Sequence, residues 1–336
     1  MTQLELAIYK KNRIAEIQTI LNNNVTRLNL ELAKHILKIK QSGLLSLSVK
    51  TRQINVLTNL YNINILNINN EFKKNVMFIN NFVPKNINIT GNKNALLIGI
   101  NYTGTVNQLY GCINDTISVN SRLQQNGFKN VTILTDLTQI KATRNNILSE
   151  FTNLLKKSQP NDLLFLLYSG HGSYILDKNG DENTRYDQII VPCDLNRIID
   201  DELKQIIQDN LPENVTLFAM FDCCFSGSVL DLKYTYMDSL NYDKYTENSK
   251  QLETKGNVFM ISGCNDYQTS IDTVIDNKAT GAMTWTLLES IKRNPTCTWR
   301  ELVKNMRDLL KKNGYKTQTP QFSCGRFQDF DKQIFI

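Results

Sequence analysis

The sequence predicts an α/β fold in which a mostly parallel central sheet is flanked by helices and preceded by a helical N-terminal extension. From Asn94 onward, apolar runs of strand length alternate with amphipathic stretches of helical length. Continuous apolar strands separated by helices are typical of a parallel sheet covered on both faces. The predicted strands are Ala95–Ile100, Val131–Leu134, Leu163–Tyr168, Ile189–Val191, Val215–Phe221 and Val258–Ile261, and the predicted helices lie near 113–126, 141–157, 281–293 and 299–313.

The first 93 residues have a different character. Residues 12–41 predict an amphipathic helix, because apolar residues recur at spacings of three and four as far as Gly43, a plausible stop signal. Twelve asparagines lie between Asn62 and Asn94. Asparagine competes for backbone hydrogen bonds and favours turns. Residues 62–93 are therefore expected to form a loosely structured connector.

Charge is distributed unevenly along the chain. Residues 1–95 carry 13 Lys and Arg against four Glu, a net charge of +9, so the remainder carries −3 of the total of +6. A basic segment of this kind is compatible with binding to nucleic acid or anionic lipid, but also with a simple solvated polar face. We found no nucleic-acid-binding or membrane motif in the sequence, and the solvated face is the favoured interpretation.

Length and composition indicate a soluble protein in a reducing, cytoplasmic compartment. The 336 residues suffice for one large domain with an appended segment, and 41% of them are hydrophobic. The sequence contains neither an apolar run of membrane-spanning length nor a recognisable signal peptide. Seven irregularly spaced cysteines do not resemble a disulfide framework.

Two clusters of chemically capable residues directly follow predicted strands. The first is Tyr168–Gly172, which contains His171 between two glycines, and the second is Asp222–Gly227, which contains Cys223 and Cys224. A thiol needs a base to become a reactive thiolate, and His35 is the sole other histidine. Functional crevices of parallel sheets lie beyond the carboxyl ends of strands. The two clusters therefore predict a Cys–His catalytic pair.

These clusters resemble the catalytic motifs of metacaspases. The resemblance covers about residues 95–336 and includes Leu97–Asn101, Gly111–Asp115, Ser262–Asp266, Gln268–Ser270, Gly281–Met283 and Pro320–Ser323. It implies a caspase-like three-layer sandwich in residues 94–336. Within that domain, residues 94–232 would correspond to the large subunit, 233–256 to a short linker and 257–336 to the small subunit. The order is type I-like, without a long linker between the subunit-like regions.

The resemblance also implies roles for individual residues. It makes Cys224 the nucleophile and His171 its base, with Cys223 a less favoured alternative to Cys224. Backbone N–H groups of Gly172 and Cys224 would meet the oxyanion. An acidic pocket for a substrate Arg or Lys would be formed by Cys112, Asp115, Ser169 and Asp222. Two carboxylates suit a guanidinium or ammonium group. Asp115 alone is also compatible with a helix N-cap.

Calcium is the cofactor that the resemblance implies. The family's calcium-binding positions correspond to Asp187, Asp200, Asp201 and Asp231, and hard carboxylate oxygens suit Ca²⁺. Solvated acidic loops are the alternative for these residues. The stretch Asp177–Glu182 begins like an EF-hand loop but lacks its later glutamate, and we discount it.

The predicted activity is therefore calcium-dependent cleavage of proteins or peptides after Arg or Lys by a monomer. Residues 1–93 would act as a prodomain. Phe225 departs from the histidine that is common after the nucleophile. Candidate self-cleavage sites, each of which also fits an ordinary surface lysine, are Lys85, Lys93, Lys233, Lys244, Lys250 and Lys255. Two alternatives stay open: a catalytically silent scaffold, and a basic N-terminal interaction module that carries the peptidase as a passenger.

Overall fold

The structure is a computed structural model whose described residues fall into two compact units, residues 1–85 and 86–336. Each unit is described separately. The described residues are 3–81, 87–177, 186–224, 226–236, 246–248, 251–263, 272–275, 278–315, 318–326, 328 and 330–336.

The first unit is a pair of long helices, α1 (Gln3–Gln41) and α2 (Leu47–Asn81), that pack against each other. The prediction of a helix over 12–41 is confirmed, and that helix begins earlier. The predicted connector over 62–93 is wrong for residues 62–81, which continue α2. An asparagine costs only about 0.7 kcal/mol relative to alanine in a helix. An apolar stripe that includes Ile65 and Ile68 is partly buried and outweighs that cost.

The second unit is built on an eight-stranded sheet. Its strands are β1 (Lys93–Gly99), β2 (Asn130–Thr135), β3 (Leu163–Ser169), β7 (Thr216–Asp222), β8 (Tyr234–Tyr236), β9 (Thr246–Glu247), β10 (Asn257–Ser262) and β13 (Gln321–Cys324). Their order in the sheet is β2-β1-β3-β7-β10-β13-β8-β9. The first five strands in this order are parallel, and the last three pair antiparallel.

Helices cover both faces of this sheet, which gives the predicted three layers. Successive residues of the central strands enter opposite cores, as Leu97 and Leu96 do in β1. One core is completed by α3 (Cys112–Gln125), α6 (Ala282–Arg293) and α7 (Trp299–Lys312), and the other by α4 (Arg144–Lys156) and α5 (Asp200–Asn210). The four predicted helices are confirmed, whereas α5 was not predicted.

A second, three-stranded antiparallel sheet follows His171. It consists of β4 (Gly172–Leu176), β5 (Tyr186–Ile190) and β6 (Ile198–Ile199). The expectation that Ile189–Val191 joins the parallel sheet is therefore wrong. β4 and β5 form an antiparallel ribbon in which Gly172 is paired with Ile190, so the apolar end of β5 is buried without a place in the main sheet.

A separate hairpin completes the unit. It is formed by β11 (Asp272–Ile275) and β12 (Lys278–Gly281), and it leads directly into α6. Among the residues described, no helix has the length and apolar character that a bilayer crossing requires.

Candidate active site

The register between β3 and β7 aligns the two predicted catalytic clusters. These parallel neighbours pair Ser169 with Asp222 at their carboxyl ends. His171 and Cys224 each follow their paired strand residue by two positions. The sheet therefore delivers the histidine and the cysteine to the same edge, as the sequence predicts.

The turns after the two strands approach each other closely. A Cβ atom on Gly172 would overlap the carbonyl oxygen of Cys224 and would lie 3.1 Å from Cys223 Sγ. Glycine is therefore required for this approach. Cys223 is 1% exposed, whereas Cys224 is half-buried. Of the two cysteines, Cys224 is therefore the more exposed to solvent.

The His171 ring is held from two sides. Its Nε2 atom lies 2.7 Å from the main-chain oxygen of Asn107, and its centroid lies 4.6 Å from that of the Tyr102 ring. A carbonyl oxygen only accepts hydrogen bonds. Nε2 must therefore carry the proton, which leaves Nδ1 to act as a base in the neutral ring.

Asp115 is fully buried beneath this edge and is surrounded by donors. Its Oδ2 accepts a hydrogen bond from Ser169 Oγ at 2.7 Å, and its Oδ1 accepts one from Thr280 Oγ1 at 2.6 Å. The Gly281 N–H lies 3.0 and 3.1 Å from the two oxygens. The alternative of a helix N-cap is wrong, because Gly111 occupies the N-cap of α3 and Asp115 lies inside the helix.

Asp222 lies beside Asp115. Its Oδ2 accepts hydrogen bonds from the main-chain N–H of Thr284 at 2.9 Å and from the hydroxyl of Thr284 at 2.8 Å. A Cβ atom on Gly281 would overlap Asp222 Oδ2 and would lie 2.8 Å from Asp115 Oδ2. Gly281 thus separates two buried carboxylates that leave no space for a side chain at this position.

The electrostatics of this pair are unusual. Burial, reinforced by the neighbouring Asp222, raises the pKa of Asp115 from its ordinary 3.8 to about 8. Two adjacent buried carboxylates without a cation cannot both ionise easily. The pair is therefore suited to a cationic guest that replaces a proton.

Of the four predicted pocket residues, Asp115, Ser169 and Asp222 are brought together. Cys112, the first residue of α3, is also buried. It is packed against β1, because a Cβ on Gly99 would overlap its carbonyl oxygen.

The four predicted calcium ligands lie around β5 and α5. Asp187, Asp200 and Asp231 are buried, and Asp200 Oδ2 accepts a 2.6 Å hydrogen bond from the Gln188 N–H. Asp201 is less buried and follows Asp200 at the start of α5. The oxygen donors suit calcium. Within the described part of the chain, however, no group of three or more His, Cys, Asp or Glu side chains is arranged to hold a metal ion.

A lysine lies beside this set. Lys204 Nζ is 3.7 Å from Asp231 Oδ2, and the side chain of Asp231 is only 2% exposed. Asp231 also has a left-handed backbone conformation, with φ of 45°. The ammonium group thus provides positive charge next to a buried carboxylate.

Several predicted residues and motifs lie outside the described residues. These are Phe225, Lys85, Lys244 and Lys250, all of Gln268–Ser270, part of Ser262–Asp266 and most of Asp177–Glu182.

Sequence reasoning missed residues at the margins of the quoted motifs. Tyr102 directly follows Leu97–Asn101, while Thr280 and Thr284 flank Gly281–Met283. Adjacency to a motif was the available signal for these three. Asn107 contributes a main-chain carbonyl, so its side-chain identity gave no indication.

Comparisons with known proteins identify relatives of this chain. Residues 93–233 match the family model described as metacaspase, peptidase C14 domain. Metacaspase-1A of Aspergillus oryzae is 37% identical over 287 residues, which cover 70% of this chain and 68% of the relative. Metacaspase-1 of Schizosaccharomyces pombe is 34% identical over 300 residues, 73% of this chain and 70% of the relative.

A solved structure supports the fold independently. A protein from Geobacter sulfurreducens superposes with a TM-score of 0.55 at 26% identity, covering 72% of this chain and 97% of its own. The fold and the relatives define a cysteine-type endopeptidase with a caspase-like α/β fold. The chain belongs to the metacaspase family.

Proposed function

We propose that this protein is a calcium-dependent cysteine endopeptidase that cleaves after Arg or Lys, with Cys224 as nucleophile and His171 as base. The observation that carries the proposal is the paired register of Ser169 and Asp222, which brings His171 and Cys224 to the edge where the buried carboxylates lie.

The catalytic cycle follows from the tautomer of His171. With its Nε2–H donated to Asn107, the ring presents Nδ1 to accept the proton of the Cys224 thiol. The thiolate attacks the substrate carbonyl and forms a tetrahedral intermediate. The protonated ring then delivers that proton to the leaving amine, and water hydrolyses the acyl-enzyme.

Backbone N–H groups of Gly172 and Cys224 are the proposed oxyanion donors. The close approach of Gly172 to the Cys224 carbonyl supports this role, because it brings the two main-chain segments to the same position. A side chain at residue 172 would force them apart.

The buried pair Asp115 and Asp222 supports selection of a cation. A carboxylate has about four acceptor sites, so each can hold its internal donors and still meet a guanidinium or ammonium group. A substrate Asp would place a third carboxylate in the pocket. It would bind poorly, because like charges repel strongly where water is excluded.

Calcium would be held by Asp187, Asp200, Asp201 and Asp231, whose oxygens suit it chemically. When bound, it would supply positive charge that draws these carboxylates together. Burial of three of the four supports a role beyond solvation, since a solvated acidic loop would leave them exposed.

Self-cleavage is proposed at a subset of the predicted lysines. Lys255 is exposed in the segment that precedes β10, which favours cleavage there. Lys93 is the first residue of β1 and is paired with Leu163, so a protease would have to open the sheet to reach it. The protein is expected to act as a cytoplasmic monomer, with residues 1–93 as its prodomain.

The test compares fluorogenic peptides that end in Arg, Lys or Asp, with calcium or with a chelator. Wild type should cleave the Arg and Lys peptides only when calcium is present. Cys224→Ala should abolish turnover, while the matched Cys223→Ala should retain it. Cleavage after Asp would overturn the proposed specificity, and full activity in chelator would overturn calcium dependence. A correctly folded protein without turnover would favour the silent scaffold.

A further inference from the structure

Two buried tyrosine hydroxyls enclose the peptide groups on either side of His171. Tyr102 Oη lies 2.8 Å from the His171 main-chain nitrogen, and Tyr168 Oη lies 2.8 Å from the His171 main-chain oxygen. Val191 closes the arrangement, since its carbonyl oxygen lies 2.6 Å from Tyr102 Oη and its nitrogen lies 3.1 Å from Tyr168 Oη. Both rings are buried, with 3% and 0% exposure.

One assignment of protons satisfies these contacts. Tyr102 donates its single hydroxyl proton to Val191 O and accepts the His171 N–H, while Tyr168 donates to His171 O. The Val191 N–H lies 3.1 Å from both Tyr168 Oη and His171 O and is shared between them. Burial raises the pKa of both phenols well above the ordinary value, so both remain donors across the working range. The backbone of His171 is thereby fixed on both sides.

The two tyrosine hydroxyls are tightly packed against the main chain at Gly170. A Cβ on Gly170 would lie 2.9 Å from Tyr168 Oη and 3.0 Å from Tyr102 Oη. The Tyr102 ring also packs against the His171 ring at 4.6 Å between centroids, with an interplanar angle of 36°. The Tyr102 side chain thus contacts His171 twice, with its ring on the imidazole and with its hydroxyl on the main-chain N–H.

Tyr102 itself is held in a strained conformation. Its φ of 51° lies in the left-handed region, which a bulky residue rarely adopts. Asp136 fixes the chain on both sides of it, accepting the Asn101 N–H at 3.0 Å and the Thr103 N–H at 2.9 Å. Strain of this kind is maintained by surrounding structure and clusters at functional sites.

We infer that Tyr102 and Tyr168 are positioning residues that set the orientation of the His171 imidazole, with Tyr102 acting through both its hydroxyl and its ring. The inference rests on the proposed function, because it assumes that His171 activates Cys224. It assigns the two phenols to catalysis although neither reaches the nucleophile or the substrate in the proposed cycle.

The experiment compares Tyr102→Phe, Tyr168→Phe and Tyr102→Leu with wild type. Tyr236→Phe is the matched control, since it removes a buried phenol that donates to Gln328 O far from this site. Readouts are kcat and KM for an Arg peptide, the pH midpoint of Cys224 alkylation by iodoacetamide, and Tm.

Both Phe variants at the site should lower kcat roughly ten- to hundredfold with KM changed less than about twofold. They should also move the alkylation midpoint to higher pH, and Tyr102→Leu should move it further because it also removes the ring that packs against the imidazole. Tyr236→Phe should lower Tm alone. If Tyr102→Phe and Tyr168→Phe likewise lower Tm but keep kcat and the midpoint, the tyrosines are merely structural and the inference is overturned.

The variant His171→Ala distinguishes failure of the proposed function from failure of the inference about the tyrosines. If this change does not slow Cys224 alkylation in an otherwise wild-type chain, His171 is not the base and the proposed function fails whatever the tyrosines do.

If a Phe variant does not fold, hydrogen exchange of the His171 amide in the wild-type protein tests the inference instead. Strong protection supports the bond to Tyr102, and exchange at the rate of an open loop overturns it.

Discussion

The Nε2 atom of His171 lies 2.7 Å from the main-chain carbonyl oxygen of Asn107. This contact determines which ring nitrogen of the neutral imidazole is free to accept a proton, because the carbonyl oxygen can be satisfied only by a protonated Nε2. In histidines that act as bases or metal ligands, the hydrogen bond made by one ring nitrogen commonly sets which tautomer is present. Here the orienting group is part of the backbone, so no side-chain substitution at residue 107 removes it directly.

The first prediction concerns this tautomer. His35→Gln leaves His171 as the sole histidine, so ring ¹⁵N NMR reports it without overlap. We expect the neutral ring to carry its proton on Nε2. Asn107→Ala should leave the tautomer unchanged, because it retains the carbonyl. A dominant Nδ1–H form would contradict the arrangement.

The second prediction is a pH-dependent affinity for basic substrates. Below pH 8 Asp115 is mostly protonated, and binding of an Arg side chain must release that proton. KM for an Arg peptide should therefore fall by up to about tenfold per pH unit as pH rises toward 8, and should level off above it. Asp115→Asn should raise KM and remove this dependence. A KM independent of pH in wild type would count against the pair as the cation site.

The same raised pKa has a consequence for stability. Between its unfolded value of 3.8 and about 8, the folded chain holds a proton on Asp115 that the unfolded chain has released. The contribution of this group is therefore fully present below pH 3.8 and is lost as pH rises toward 8. Chemical denaturation at pH 6 and pH 8.5 should show a larger decline in wild type than in Asp115→Asn.

The third prediction tests the space between the carboxylates. Gly281→Ala would introduce a methyl group that overlaps Asp222 Oδ2. We expect kcat/KM for an Arg peptide to fall by at least about a hundredfold, because the methyl group would displace the carboxylates that form the proposed cation site. Gly43→Ala is the matched control, since nothing lies within 4 Å of a Cβ there. Equal activity of the two variants would contradict a role for Gly281 in the pocket.

The fourth prediction concerns Lys204 and calcium. In the proposed calcium site the Lys204 ammonium group would compete with the ion for Asp231, so Lys204→Met should lower the calcium Kd several-fold, whereas Lys204→Arg should leave it nearly unchanged. Calorimetric titration and the calcium-induced shift in Tm measure this without reference to activity. An unchanged Kd in Lys204→Met would show that the lysine does not compete.

Much of the α/β unit was predictable because its signals are local. The apolar runs of β1, β3 and β7 are each long enough to identify a buried strand, and His171 and Cys224 directly follow two of them. Their juxtaposition required only the rule that active residues gather beyond the carboxyl ends of parallel strands.

The parts that could not be predicted depend on distant contacts. α2 tolerates its asparagines only because α1 buries its apolar stripe, and local propensity pointed to a connector instead. β5 carries a strand-like apolar run, but the run does not specify which sheet it joins. The donors from Thr280 and Thr284 to the two aspartates join residues far apart in sequence, which no local pattern encodes.

The separation in sequence between these hydrogen-bonded residues has a consequence for synthesis of the protein. The hydrogen bond between Asp115 and Thr280 joins residues 165 positions apart. During translation, both His171 and Cys224 are synthesised before residues 280–284. The proposed specificity pocket is completed only by those later residues. Under the proposed function, a nascent chain would therefore carry His171 and Cys224 before it could bind a basic side chain, and cleavage after Arg or Lys would begin only once residues 280–284 have been added.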